Sequence, residues 1–105
     1  MTMEDRKNAF ENKYAHDAEV RFRAEARRNK LLGHWAAEKL GKTGEEADAY
    51  VKEVIKADFQ EAGDDDVFRK IRADFDAAGL DTSDHRIRRT MEELMVEAIR
   101  QIEAS

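Results

Sequence analysis

The chain has no cysteine and no proline, and only five glycines and one tryptophan among 105 residues. Without cysteine there can be neither disulfides nor thiolate chemistry, which fits a reducing compartment. Without proline, and with so few glycines, long helices meet few internal breaks. No apolar run approaches the length of a membrane span, and nothing resembles a signal peptide, so a soluble cytoplasmic protein is expected. Period-two alternation of β-branched residues is also missing over any useful length, which leaves no strand signal.

What remains is charge and helical periodicity. Asp, Glu, Lys and Arg make up 41% of the chain, and the net charge is −5. The excess is uneven: residues 17–40 are net positive, whereas residues 41–105 supply all of the negative surplus. Arg21, Arg23, Arg27, Arg28 and Lys30 form a basic group that reads equally as a solvated helix face or as a partner-facing patch. The acidic remainder and the lack of interleaved exposed aromatics argue against nucleic acid as a partner.

Ala9 to Leu40 reads as one unbroken helix. At about 1.5 Å per residue its 32 residues span roughly 48 Å, against a radius of gyration near 13 Å for a compact domain of this size. Part of it must project. With each residue advancing about 100°, Phe10, Tyr14, Leu31, Leu32, Trp35 and Ala36 share one side, but Arg21, Glu25 and Arg28 interrupt it. Leu31 to Leu40 is therefore expected to anchor in a core better than the half before it. The chain divides near Asp17 to Val20, into an arm of residues 1–19 and a bundle of residues 20–105. Phe10 and Tyr14, at i,i+4 spacing on the projecting part, are candidate contacts for another protein.

Gly41 to Gly44 closes that helix, and Thr43 with Glu46 predicts a capping box for the next. The second helix should turn Ala47, Tyr50, Val51, Val54, Ile55 and Phe59 inward and end at Ala62-Gly63. The third should run from Asp64 to Ala78, with Val67, Phe68, Ile71 and Phe75 inward. In the fourth, Ile87, Met91, Leu94, Met95, Ala98, Ile99 and Ile102 fall within an arc of about 140°. The expected fold is all-α, a four-helix bundle with a long first helix and a loose amino-terminal arm.

No set of residues assembles an active site. Ala36 to Thr43 resembles the end of a phosphate loop, but Ala36 stands where the pattern needs glycine, and a helix rather than a strand leads into it. Asp64, Asp65 and Asp66 are contiguous, unlike the alternating ligands of a calcium loop, so capping and the helix dipole explain them. His16, His34 and His85 are too scattered for zinc. Asp58, inside the second helix's apolar stripe, should pair with an arginine or lie in an open groove.

Four strings then point to a family: AFENKYAHD (Ala9 to Asp17), FRAEARRNKLLG (Phe22 to Gly33), WAAEKLGKTG (Trp35 to Gly44) and DVFRKIRADFDAAG (Asp66 to Gly79). Together they resemble the zeta subunit of alphaproteobacterial F1FO ATP synthase, over nearly the whole chain. The resemblance implies an inhibitor rather than an enzyme, with no required cofactor. It implies an amino-terminal segment that enters the interface between an α and a β subunit of F1 and stops rotation of the central stalk during ATP hydrolysis. The bundle then stays outside as the anchor. Transferred to this chain, the contact residues are Arg6, Phe10, Glu11, Asn12, Lys13 and Tyr14. The protein would meet the cytoplasmic face of the membrane only through F1FO, without inserting. The resemblance also implies weak purine nucleotide (ADP or ATP) binding by the globular part, for which Trp35, Lys39, Lys42 and Asp58 are candidates. A small nucleotide-responsive helical binding module is the alternative function.

Overall fold

The computed structural model describes residues 3–59 and 64–104, with side chains described from residue 18 onward. Four helices follow one another: α1 Met3–Lys39, α2 Gly44–Ala57, α3 Asp65–Ala77 and α4 Asp84–Ala104. There is no strand among the described residues. The helical architecture and the long first helix are as the sequence predicts, with α1 beginning at Met3 rather than Ala9.

α1 is the spine. α2 and α4 both pack along it, and α3 bridges them. The molecule measures 60 × 25 × 22 Å, with a radius of gyration of 16.9 Å. That exceeds the ~13 Å of a compact chain this long. The cause is α1, whose 37 residues span about 55 Å. α2, with 14 residues, reaches about 21 Å, so it covers only part of the spine. The first fully buried side chain described on α1 is Ala24, and the last are Ala36 and Ala37.

Leu32, Ala36, Tyr50, Val54, Val67, Ile71, Phe75 and Ile87 form the centre of the core. Gly33 sets how closely α1 and α2 approach: a Cβ placed there would lie 2.9 Å from Val51 Cα. Because the obstacle is backbone, the helices themselves must separate. Gly33→Ala should therefore destabilise the fold by about 1 to 3 kcal/mol despite the better helix propensity of alanine. Chemical denaturation measures this, and a variant of equal or greater stability would refute the close approach.

Local expectations meet three corrections. Thr43 occupies the N-cap of α2 in extended backbone but makes no side-chain capping bond, so the predicted capping box is not formed. By contrast Ser83 does cap α4, its Oγ accepting the Arg86 N–H at 3.1 Å. Phe59, expected inward, is 81% exposed. α2 ends at Ala57, and the N–H groups of Asp58 and Phe59 reach back only three residues, to Ile55 and Lys56. This tighter turn carries Phe59 off the apolar stripe. The predicted helix end at Ala62-Gly63 lies outside the described residues.

The third correction concerns Arg28, which the apolar stripe of α1 cannot accommodate as a free cation. Its side chain is buried, 1% exposed, among the largest fully buried in the protein. Its Nε donates to Asn29 Oδ1 at 2.8 Å, and an Nη donates to Asp64 Oδ1 at 2.9 Å. Asp64, expected as a helix cap, makes no side-chain capping bond; it is the counter-ion of Arg28. Arg28, by hydrogen bonding, holds the Asp64 carboxyl below the usual carboxylate range against the opposing effect of burial. Asp65 pairs with Arg88 at 3.0 Å, and Asp66 accepts the Val67 N–H at 2.8 Å. The acidic run thus ties α3 to both α1 and α4, beyond its favourable place at a helix start.

The candidate interaction surface

On α1 the candidate F1 contacts Arg6, Phe10, Glu11, Asn12, Lys13 and Tyr14 all lie within the helical backbone. Their side chains, with that of His16, lie outside the described residues. Beyond them Ala18, Glu19, Arg21, Phe22 and Arg23 are exposed, and Val20 is half-buried. Arg23 pairs with Glu19 at 2.9 Å and Arg21 with Glu25 at 3.6 Å, both across one helical turn. Such exposed pairs add little stability. Of the basic group on α1, Arg28 belongs to the core while Arg21, Arg23, Arg27 and Lys30 face solvent.

The four nucleotide candidates are distributed over different surroundings. Trp35 packs against Phe75 with centroids 5.6 Å apart, and Lys39 Nζ lies 5.9 Å from its ring. Lys42 lies instead over Tyr50, at 5.9 Å. Tyr50 donates to Asp74 at 2.8 Å, and burial, followed by that bond, drives its hydroxyl far above the usual range. Asp58 accepts from Asn29 Nδ2 at 2.9 Å. The expected arginine partner is thus replaced by an amide, and the expected groove is a small cavity also lined by Phe22 and Phe59. The structure brings Trp35 and Lys39 together but puts Lys42 and Asp58 in separate cavities.

Among the described residues no group of His, Cys, Asp and Glu is placed to hold a metal. No helix there is long and apolar enough to cross a membrane. Phe22 lies off the apolar stripe of α1, twelve residues after Phe10, and Phe59 keeps the phase of the α2 stripe, so neither exposed ring is marked by the apolar stripes alone. The signal that could have found Phe22 is the four-residue spacing that links Phe10, Tyr14, Ala18 and Phe22.

The fold is that of a helical bundle whose spine helix outruns its cover, with exposed rings near where the cover ends. The chain belongs to the ATPase inhibitor subunit zeta family, whose profile matches residues 1–101. It is also similar to a protein whose structure was solved by solution NMR. The two share 49% identity and superpose with a TM-score of 0.71, over 81% of this chain and 96% of the other. No curated protein matches the chain. Family membership supports an ATPase-inhibitor role and is consistent with a role other than catalysis.

Proposed function

We propose that this protein inhibits ATP hydrolysis by F1FO ATP synthase by inserting residues 1–19 into an α/β interface of F1, where they obstruct rotation of the central stalk. The observation that carries the reading is the disparity between α1 and its cover: 37 helical residues, of which the described buried ones begin only at Ala24. A helix presented in this way enters a groove through apolar anchors at helical spacing, and Phe10 and Tyr14 supply them. Arg6, Glu11, Asn12 and Lys13 surround that pair and can meet polar groups along the groove walls. The bundle is too wide to follow, at 25 × 22 Å across its shorter dimensions, so it stays outside and holds the arm in place. Turning the stalk in the synthesis direction reopens the interface and releases the arm, which makes hydrolysis the more strongly inhibited direction.

A photo-crosslinking residue placed at position 10 or 14 of the full chain tests the insertion. With F1 stalled during ATP turnover, both positions should capture α and β subunits, whereas the same residue at exposed Val96 on α4 should capture neither. Capture from Val96 alone would reverse the assignment of arm and anchor.

A further inference from the structure

Phe22 is 73% exposed and Phe59 81%, and with Val96 they are the exposed large hydrophobics among the described residues. They come from α1 and from the turn that follows α2, yet line one cavity of about 60 Å³. Ala26 and Ile55 add apolar lining, and its acidic groups are Glu25 and Asp58. Asn29, itself 2% exposed, holds Asp58 Oδ2 at 2.9 Å while its own Oδ1 accepts from Arg28 at 2.8 Å. The carboxylate is therefore positioned by a buried chain of hydrogen bonds. Two open rings beside a fixed carboxylate suit one kind of visitor, an arginine or lysine whose stem lies on the rings and whose charge meets the acid.

The surface lies on the helix that also carries the arm. Phe10, Tyr14, Ala18, Phe22 and Ala26 recur every four residues on a single unbroken helix. Each step of four drifts by about 40°, so Phe22 stands about 80° round the helix from Tyr14, on the neighbouring face of the same α1 that carries the arm. Along α1 Phe22 sits about 12 Å beyond Tyr14. A groove that holds Tyr14 therefore brings the Phe22 segment of α1 close to the same partner.

We propose that the Phe22–Phe59 surface is a second docking site for the same F1 head, receiving a basic, apolar-stemmed side chain from the outer rim of the α/β interface. The inference rests on the inhibitory reading above. It divides binding into two parts: the arm obstructs rotation, and the ring pair with Asp58 sets how tightly the inhibitor is retained.

The test titrates F1-ATPase with the wild-type chain, Phe10→Ala/Tyr14→Ala, Phe22→Ala/Phe59→Ala, and Asp58→Asn, and follows the mass of each free protein in solution. Removing the exposed rings should raise the half-inhibitory concentration by about tenfold or more, with the same maximal inhibition and an unchanged melting temperature. Asp58→Asn, which keeps an acceptor for Asn29, should raise it less and weaken its dependence on salt. If the Phe22/Phe59 variant inhibits like wild type while the Phe10/Tyr14 variant fails, the second site is refuted and the arm stands. Wild-type potency in the Phe10/Tyr14 variant refutes the inhibitory reading itself. If the wild type is dimeric and the Phe22/Phe59 variant is monomeric with unaltered potency, the rings join copies of this chain and the proposal is overturned.

Discussion

A chain that begins at Val20 is expected to lose inhibition of F1-ATPase while keeping the bundle intact. The deletion removes no described buried side chain, since burial on α1 begins at Ala24, and it leaves the contacts of α1 with α2 and α4 that hold the core. Its melting temperature should stay close to that of the full chain. What it does remove is the pair of aromatic anchors and the polar groups beside them. Aromatic hot spots at an interface are worth about 2 kcal/mol or more each, so losing two weakens binding by roughly a thousandfold. Loss of the obstructing segment should also lower the inhibition reached at saturation. Full inhibition by the shortened chain would take the arm out of the mechanism, because the bundle alone would then suffice.

The largest expected effect on stability is at Arg28. Truncation to alanine empties a fully buried volume and strips both Asn29 and Asp64 of their donor, and should cost about 3 kcal/mol. For a domain of this size that lowers the melting temperature by roughly 10 to 20 °C. Arg28→Met separates volume from charge. The Asp64 side chain is 46% exposed, so its carboxylate returns to water when the guanidinium is removed, and methionine refills the space. That variant should lose less than about 1.5 kcal/mol. Asp64→Ala, by contrast, strands the buried cation and should fall between the two. Calorimetry or urea denaturation ranks the three, and near-wild-type stability of Arg28→Ala would show that the buried arrangement contributes nothing.

The same pair predicts an acid dependence of definite sign. Hydrogen bonding from Arg28 lowers the Asp64 carboxyl below its ordinary value of 3.8, so at low pH the unfolded chain binds a proton that the native state resists. Stability from the pair is complete above that value and disappears as pH falls through the lowered native one. The gap in stability between wild type and Asp64→Ala should therefore be constant from neutral pH to about pH 5 and narrow below about pH 4.

The four helices were legible because their signals are local. Gly41, Gly44 and Gly79 adopt the left-handed backbone, with φ of 75°, 56° and 72°, at the connections where the sequence placed breaks. The stripes of α3 and α4 were equally readable, with Val67, Ile71, Phe75 and Ile87 fully buried. The errors came from distance. Arg28 looked like an interruption because the carboxylate that neutralises it lies 36 residues away, where periodicity cannot see it. Burial cost alone predicts an arginine partner or an open groove for Asp58, whereas an asparagine 29 residues earlier holds it at the edge of a small cavity. Phe59 kept the helical phase in sequence but lost it in space when α2 tightened at its last turn. The proposed F1 contact rests on a different kind of signal: the aromatic spacing of Phe10 and Tyr14 suggests a contact, and only the four family strings indicate with what.

The most direct test is ATP turnover by F1-ATPase from the same organism, titrated with the purified full-length protein. Turnover should fall to a low plateau once about one inhibitor is present per F1. Turnover that stays constant in large excess of the protein would contradict the account at its root.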